Sequence, residues 1–443
     1  MEIEGYDQVA ENVSLRATGF FRLWTAESIS LAGTQVTAFA LPLVAVIALD
    51  ASAWEMGLLT AANSAAALAF GLSAGALSDR YERRGVMLVA NAARAVVLLL
   101  IPGLYFLDML SLYAMAAVSF TVAGLSLLFD SAMASYTPRL VGKHNLAQAN
   151  SWMQGTVSVG EVAGPGFAGL LVQVFGAPLT LLLDSASYLV SSLNLAKMPK
   201  AAPERTEGEK PEPHFKAVLS GLRLLRGDRF QRPLVLGAAH FNFFTAMFFT
   251  LYTLYVIKVL GFSSLLFGVL TMIGGVSGLL GAALAARIGR KFGVGATLVT
   301  VFAFPGVTGL LVPAAISVNK PVAMLFIGIS AFFWSFAVVI NLILSETIKQ
   351  ALVPDMYLGR VTSAFRFVAT GVEPFGALVG GALATSSFGI TRTLVLAAIG
   401  LMASAFWPLI SDVRTLRDIT DHVDVQAVGA GGPGPGPHEG EGR

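Results

Sequence analysis

The chain contains no cysteine among its 443 residues, and only 13% of them carry a charge. The first absence excludes disulfides, thiolate metal sites and cysteine nucleophiles. The second excludes a soluble protein of this length, because 55% of the residues are hydrophobic and so few charges cannot cover its surface. Most of the chain must therefore lie in lipid. The net charge of +2 says nothing about compartment.

Three sequence signals are also missing. No GxxxxGK[ST] loop is present, so we expect no ATP hydrolysis. The histidines have no metal-ligand spacing, and we expect no metal, no cofactor, no nucleic-acid partner and no enzymatic activity. The N-terminus is acidic instead of a basic start to an apolar run, which argues against a cleavable signal peptide. The first transmembrane helix would then serve as the insertion signal.

Apolar runs long enough to cross the bilayer occur twelve times. Crossing about 30 Å of hydrocarbon takes roughly 20 helical residues. We therefore predict an all-α membrane protein of twelve transmembrane helices in two six-helix, pseudo-symmetric halves. The predicted spans are 21–49, 54–78, 85–107, 111–136, 148–175, 178–198, 231–258, 263–286, 293–316, 320–348, 358–387 and 391–411.

The polar stretches between and around the spans set the domain boundaries. The prolines after residue 199, followed by an amphipathic segment, indicate a linker that carries one interfacial helix. The Gly-Pro repeat near the C-terminus is typical of disorder. The predicted regions are an N-terminal cytoplasmic segment (1–20), the first half (21–198), the cytoplasmic linker (199–230), the second half (231–411) and a disordered cytoplasmic tail (412–443).

A tandem repeat relates the two halves. Glu161 and Glu373 lie 212 residues apart, each in a glycine-rich apolar stretch, and the same shift superimposes their neighbours. Repeats in polytopic membrane proteins place the working site between the halves, near the bilayer midplane. The matching residues are Leu140, Val141, Leu146, Ser151, Gly164, Gly169 and Leu171 with Leu352, Val353, Leu358, Ser363, Gly376, Gly381 and Leu383.

The distribution of basic residues predicts the orientation. Lys and Arg are retained on the cytoplasmic side during insertion. With both termini inside, 24 of the 29 Lys and Arg residues fall in cytoplasmic segments or at their edges. Lys258, Lys320 and Arg392 fall outside, and Arg94 and Arg366 lie within spans. We expect a multi-pass protein of a bacterial cytoplasmic membrane, as a monomer.

The turn after the second span carries the most specific local signal. It reads Gly75-Ala-Leu-Ser-Asp79-Arg80-Tyr-Glu82-Arg83-Arg84. This turn resembles the loop signature of the major facilitator superfamily, which has a glycine where this chain has Glu82. Asp79 can face a helix N-terminus in the other half while the arginines pair with acids. We expect a cytoplasmic latch formed by Gly75, Asp79, Arg80, Arg83 and Arg84.

The fifth span carries a second signature. Gly160, Gly164, Pro165 and Gly169 resemble the antiporter motif of exporting members of this superfamily. Small residues let helix backbones approach closely, and the proline weakens one helical hydrogen bond. A close and bendable helix contact is expected, although GxxxG spacing is also common in other membrane helices.

The wider resemblance covers roughly residues 20–410 and points to the drug:proton antiporter group that includes macrolide-efflux and enterobactin-exporter-like proteins. It rests on Phe21-Arg22-Leu23-Trp24, Gly33 to Pro42, Phe129-Asp130 and Leu146 to Ser151. The chain departs from related groups in two ways. The fourth span lacks a membrane-embedded arginine, and Thr34 stands where many relatives have an aspartate. Proton coupling would have to use other acids.

Three acids within the spans are candidates for proton coupling: Glu161, Glu373 and Asp130. A lone charge near the bilayer centre costs about 2.5–3.5 kcal/mol, so such a group is paired, neutral or open to water. Glu161 is the first choice, with Glu373 as its repeat partner. The alternative for each is a permanently protonated acid bonded to a neighbouring helix. Arg94 with Asp130, and Arg366 with Glu346, are predicted ion pairs, with a structural lock favoured for the first.

Aromatic and polar residues on the seventh and tenth spans predict a substrate cavity, with packing against lipid or protein as the alternative. Apolar walls with a few acids suit a large amphipathic compound. The expected function is proton-coupled export of amphipathic small molecules by alternating access; a facilitator or importer of the same fold, or a non-transporting sensor or assembly protein, is the alternative. The candidate cavity residues are Glu27, Gln35, His240, Asn242, Phe244, Phe248, Phe333, Trp334 and Asn341.

Overall fold

The computed structural model describes Leu15 and residues 18–71, 81–199 and 214–417, and within these ranges the chain is helical with no strand. Long apolar runs form helices because a helix satisfies every backbone hydrogen bond within its own segment. Where the structure describes the whole connection, short turns join consecutive helices. In chain order they are α1 Phe20–Ala48, α2 Ala53–Phe70, α3 Arg83–Phe106, α4 Leu112–Gly142, α5 His144–Phe175, α6 Ala177–Leu195, α7 His214–Gly227, α8 Gln231–Val259, α9 Ser264–Phe292, α10 Val294–Ser317, α11 Lys320–Leu352, α12 Met356–Thr385 and α13 Ile390–Leu409.

Ten of the described helices are long and apolar enough to cross a membrane. The two predicted spans that do not reach this level are α2, with 18 described residues, and α6, with 19. The prediction of an all-α membrane protein is confirmed. The count of twelve spans, and the domain boundaries drawn from it, stay predictions. The amphipathic helix α7 lies within residues 199–230, where the linker is predicted.

Capped helix starts mark one end of the bundle. Ser52, Ser111, Ser263 and Asn319 each accept a backbone N–H from the first turn of the helix that follows. At Ser52 the contact is reciprocal, since the carboxylate of Glu55 accepts the Ser52 backbone N–H at 2.8 Å. Such caps satisfy amide groups that would otherwise lack partners where a helix begins. We call the end that carries these caps the capped end. The opposite end, where α1 begins and α13 ends, is the terminal end.

Matching local irregularities recur in the two halves. A π-helical turn ends α1 at Val44–Ala48, and another ends α8 at Tyr255–Val259. Gly176 and Gly389, with φ of 83° and 80°, precede α6 and α13. Positive φ is open to glycine because it has no Cβ. The repeat that the sequence shows around the two glutamates therefore extends to backbone features far from them.

Candidate functional site

A cavity of about 640 Å³ lies between the halves, in contact with α5 of the first half and α8, α9 and α11 of the second. Its volume falls within the range of about 300–1,000 Å³ that is typical of sites for drug-sized molecules. The lining residues are Gln154, Ser158, Glu161, Phe248, Phe249, Tyr252, Thr271, Gly274, Gly275, Gly278, Leu279, Ala282, Ser330, Ala331, Trp334, Ser335, Val338, Val339, Leu342 and Ile343.

The α5 wall of this cavity is polar. Gln154, Ser158 and Glu161 all line it. Their spacing of four and then three residues places them on one helix face. Glu161 is exposed towards the cavity and lies about 25 Å by helical rise from the start of α5 and about 21 Å from its end. The cavity therefore presents one carboxyl group near the middle of the bundle.

A second part of the cavity wall is aromatic. Trp334 of α11 stacks on Phe248 of α8 with ring centroids 5.3 Å apart, and the ring of Phe249 meets it edge-on at 5.0 Å. Such pairs hold large, rigid rings in fixed positions. A cavity with a polar wall that carries one carboxyl group and an aromatic wall suits a molecule with both apolar and polar parts.

Glu373 occupies a different environment from its repeat partner. Its half-buried side chain lies on α12, where Ser64 of α2 donates a hydrogen bond to Oε2 at 3.2 Å. This contact crosses from one half to the other. Glu161 therefore lines the cavity, while Glu373 takes part in a contact between the halves.

Two glycine seams join the halves. In the first, α5 packs on α9, and a Cβ placed on Gly169 would lie 2.7 Å from the Ser264 carbonyl oxygen and 3.2 Å from Gly268 Cα. In the second, α2 packs on α12, and a Cβ on Gly57 would lie 3.1 Å from Gly381 Cα. Both contacts bring backbone against backbone, which only small residues permit. Both lie in the half of the bundle nearer the capped end.

The first seam continues to the level of the cavity acid. A Cβ on Gly275 of α9 would lie 2.7 Å from the Glu161 carbonyl oxygen and 2.6 Å from Val162 Cα. Past this point the cavity lining runs to Gln154 on α5 and Ala282 on α9, towards the terminal end. Glu161 thus sits where the close contact between the halves gives way to the cavity.

An ion pair also bridges the halves at the capped end. Lys258 Nζ of α8 lies 2.5 Å from Asp50 Oδ1, in the turn after α1, and 3.3 Å from the Ala51 carbonyl oxygen. The Asp50 side chain is 92% exposed, so the pair contributes only about 0–1 kcal/mol. Lys258 was an exception to the predicted charge distribution, and this contact gives it a partner.

The antiporter-like motif on α5 serves two contacts. Gly160 and Gly164 face Gln35 of α1, with a Cβ on Gly164 lying 2.8 Å from that of Gln35. Gly169 faces α9, and the carbonyl oxygen of Pro165 lies against Gly268. The motif therefore fixes α5 between the two halves, with Glu161 on the cavity side. Gln35 packs against this motif and is not among the cavity-lining residues.

Several predicted cavity residues pack inside the second half. His240 Nε2 lies 2.9 Å from the Gly400 carbonyl oxygen, and its Nδ1 accepts a hydrogen bond from Trp407 at 3.2 Å. Phe244 packs against His240 with centroids 5.1 Å apart. Asn242 donates to the Ala369 carbonyl oxygen at 2.9 Å. These side chains tie α8 to α12 and α13, so the cavity prediction is wrong for them in this conformation.

Phe333 and Asn341 of α11, which were also predicted to line the cavity, make other contacts. Phe333 meets Phe304 edge-on at 5.3 Å, because it points towards α10 while Trp334 points into the cavity. Asn341 accepts a hydrogen bond from Ser345 one turn later at 3.0 Å. Neither residue lines the cavity. Of the nine predicted cavity residues, Phe248 and Trp334 do so.

A polar cluster lies inside the first half, away from the cavity. Arg94 is 3% exposed, and its guanidinium lies 4.5 Å from the ring centroid of Phe129 and 4.4 Å from that of Tyr188. It donates to Ser126 Oγ at 3.2 Å and to Asn91 Oδ1. The predicted ion pair with Asp130 is therefore not formed, because the hydroxyl, the amide and the two rings hold the guanidinium instead.

Glu27 belongs with this cluster and not with the cavity. Its Oε2 atom is buried without a hydrogen-bond partner among the described residues. The charges of Arg94 and Asp130 lie close enough to act on it. Asp130 itself is exposed on α4 and is absent from the cavity lining.

The second predicted ion pair is also replaced. Glu346 Oε1 lies 2.5 Å from Lys349 Nζ, one turn further along α11, and does not pair with Arg366. Lys349 is only 3% exposed, and its ammonium group lies 4.8 Å from the ring of Phe365 on α12. Lys349 pairs with the Glu346 carboxylate because side chains three residues apart on a helix are neighbours on its surface.

The predicted latch is only partly within the described residues. Gly75, Asp79 and Arg80 lie outside them. Arg83 is buried at the start of α3, and Arg84 donates to the Ala196 carbonyl oxygen at 2.8 Å, which joins α3 to the end of α6. Glu82, at the position where the family signature has glycine, caps α3 by accepting the Arg84 and Gly85 amides at 3.2 and 2.9 Å.

Metal ligation finds no support in the described part of the chain, where no group of three or more histidine, aspartate or glutamate side chains comes together. The polar cavity residues Gln154, Ser158, Thr271, Ser330 and Ser335 were missed by the sequence interpretation. For the first two a signal existed, since they share a helix face with Glu161. For the serines and threonine no such signal existed, because small hydroxyl residues are common in membrane helices.

A family model described as "Major Facilitator Superfamily" matches residues 23–376. The chain belongs to this superfamily, and it is a multi-pass membrane transporter, not an enzyme. Among similar proteins, the enterobactin exporter EntS of Citrobacter koseri is 27% identical over 380 residues, covering 84% of this chain and 87% of that protein. EntS of Shigella dysenteriae is 30% identical over 230 residues, about half of each chain.

Solved structures share the fold. The nucleoside transporter NupG (D323A mutant) superposes with a TM-score of 0.70 at 13% identity, covering 88% of this chain and 99% of that one. A bacterial homologue of the iron transporter ferroportin superposes with a TM-score of 0.68 in its inward-facing state and 0.56 in its outward-facing state. These cover 89% and 88% of this chain and 98% of that one, at 15% and 16% identity.

Proposed function

We propose that this transporter is a proton-coupled exporter of amphipathic small molecules, of the siderophore or drug type, in a bacterial cytoplasmic membrane with both termini in the cytoplasm. The observation that carries the proposal is the cavity between the halves, which both Glu161 and an aromatic wall line. The similarity to enterobactin exporters adds support for export.

The contacts between the halves support alternating access. At the capped end the glycine seams and the Asp50–Lys258 pair hold the halves together. On α5 the cavity lining continues from Glu161 towards the terminal end, to Gln154, while Tyr252 and Thr271 line the cavity nearer the capped end. With the termini in the cytoplasm this is an inward-facing state, and the closer superposition on the inward-facing ferroportin homologue agrees with it. Export then requires the seams to part and the terminal end to close.

Glu161 is the proposed proton carrier, since its side chain lines the cavity and its backbone contacts Gly275 in the first glycine seam. A carboxyl group in the cavity can exchange a proton with water, and its neutral form is favoured when the surroundings become dry. Closure of the terminal end would reduce the access of this carboxyl group to water. Glu373 and Asp130, outside the cavity, are the alternative proton carriers.

The proposal is tested by transport in proteoliposomes. The purified full chain, reconstituted with an imposed pH gradient, is expected to drive enterobactin or a cationic dye such as ethidium against its gradient, with proton flux in the opposite direction. Transport only down the substrate gradient would identify a facilitator. Proton flux in the same direction as the substrate would identify an importer. Absence of transport across a broad panel of compounds would favour a sensor or assembly protein.

The aromatic wall gives a second prediction. Trp334→Ala removes a ring that stacks on Phe248 and lines the cavity. An aromatic contact is worth about 0.5–1.5 kcal/mol beyond the buried area, so the apparent affinity for a transported aromatic compound is expected to fall about tenfold. Substrate concentration dependence of transport measures this effect. Phe333→Ala, at the neighbouring position outside the cavity, is the matched control, and an equal loss in both variants would contradict a role for Trp334 in binding.

A further inference from the structure

A second cavity lies at the terminal end, where α8 begins and α13 ends, and it has a different character. Its volume is about 360 Å³. Three exposed arginines contribute to its walls, and it shares no lining residue with the cavity between the halves. The lining consists of Arg226, Gly227, Asp228, Arg229, Arg232, Pro233, Leu236, Trp407, Ile410, Ser411 and Asp412.

Positive charge exceeds negative charge in this pocket. Asp228 is occupied as a cap, since its Oδ1 accepts the backbone amides of Phe230 and Gln231 at 2.8 and 2.7 Å. Asp412 pairs loosely with Arg229 at 3.9 Å. Arg226 and Arg232 have no carboxylate within ion-pair distance among the described residues. Two guanidinium groups therefore remain available to an anion.

Hydrocarbon surface borders the same pocket. Phe406, Leu409 and Ile410 are 54%, 47% and 60% exposed, and Ile410 also lines the pocket. The chain becomes polar at Ser411 and Asp412, directly afterwards, which marks the level where lipid gives way to water. Trp407 lies in the pocket at this level, where indole rings are favoured. An occupant can therefore place an anionic head on the arginines and an acyl chain along Ile410.

We propose that this pocket binds the phosphate headgroup of an anionic phospholipid of the surrounding leaflet. Guanidinium groups bind phosphate oxygens through paired hydrogen bonds. Basic pockets beside membrane helices are suited to acidic lipid headgroups. The adjoining apolar surface favours a lipid over a free phosphate ion, because only a lipid covers both parts. The lipid would fasten the junction between α7 and α8 to α13.

The test is lipid binding to the purified full chain, followed by native mass spectrometry with phosphatidylglycerol and, separately, phosphatidylcholine. The pocket variant is Arg226→Gln, Arg229→Gln and Arg232→Gln combined. Each unpaired arginine near an anionic lipid contributes about a fivefold factor, so the loss of Arg226 and Arg232 is expected to weaken binding of phosphatidylglycerol on the order of 25-fold. Binding of phosphatidylcholine should change little.

A matched control removes three exposed arginines from the same end outside the pocket: Arg22→Gln, Arg287→Gln and Arg290→Gln. Retained phosphatidylglycerol binding in this control supports the pocket. Equal weakening in both triple variants, or no weakening in the pocket variant, would overturn the proposal. Inorganic phosphate forms the third arm: if millimolar phosphate displaces phosphatidylglycerol, the site takes a soluble anion and the lipid assignment fails. The single variant Arg232→Gln tests the same pocket with a smaller change to the protein. Unchanged elution on gel filtration would show that weakened lipid binding is not caused by loss of folding.

Discussion

Glu161→Gln is expected to abolish proton-driven accumulation of substrate while leaving gradient-free exchange intact. Glutamine keeps the shape of the neutral acid but cannot release a proton, so the cavity is preserved and coupling is lost. One charge moved through 100 mV supplies about 2.3 kcal/mol, which sustains roughly 50-fold accumulation of a neutral substrate. The accumulation ratio in inverted vesicles should therefore fall from this level towards one.

Glu373→Gln is the comparison for this prediction. Glu373 has the equivalent position in the repeat, but it is bonded to Ser64 between α2 and α12 and does not line the cavity. We expect this variant to alter transport rate and to retain coupling. If the Glu161 variant accumulates substrate at the wild-type level, Glu161 is not the carrier. Loss of coupling in the Glu373 variant alone would transfer the role to that residue.

Gly169→Leu is expected to reduce transport at least about tenfold by preventing closure at the capped end. The new side chain would begin 2.7 Å from the Ser264 carbonyl oxygen, and backbone atoms cannot move aside as a flexible side chain does. Overpacking of this kind costs about 1–3 kcal/mol, enough to shift a two-state population by about 5- to 150-fold. The variant should favour the state in which the capped end is open.

Gly155→Leu provides the control on the same helix, because a Cβ at that position would meet no other helix within 4 Å. It should transport at close to the wild-type rate. Gly381→Leu, at the second seam, should repeat the effect of Gly169→Leu, since its Cβ would lie 2.8 Å from the Ala53 carbonyl oxygen. The transport rates of the Gly169, Gly155 and Gly381 variants in proteoliposomes measure these effects. Normal transport by Gly169→Leu would show that the seam need not close.

Much of the fold is predictable from the sequence because lipid imposes simple rules. Helix lengths follow from hydrocarbon thickness, and the duplication around Glu161 and Glu373 follows from direct comparison of residues. The π-helical turns at Val44–Ala48 and Tyr255–Val259 were not foreseen. Their positions depend on how the helix ends pack, and no residue type at these sites signals them.

The site was harder to predict because residue type does not decide which way a membrane helix faces. Phe333 and Trp334 are adjacent aromatics, yet one packs on α10 and the other lines the cavity. Likewise Arg94 was predicted to need a carboxylate, but two aromatic rings and neutral polar groups hold it. Helix rotation is set by contacts with neighbours, and these require the assembled bundle.

Alternating access is tested most directly by a distance across the capped end, measured by double electron–electron resonance. The chain has no cysteine, so spin labels at Met109→Cys, in the turn after α3, and at Ile316→Cys, at the end of α10, would be unique. These positions are 67% and 51% exposed and lie in opposite halves. In proteoliposomes we predict two distance populations, the shorter corresponding to the closed seams, whose proportions shift when pH is lowered or enterobactin is added. A single distance that never changes, in a preparation that transports, would contradict this mechanism.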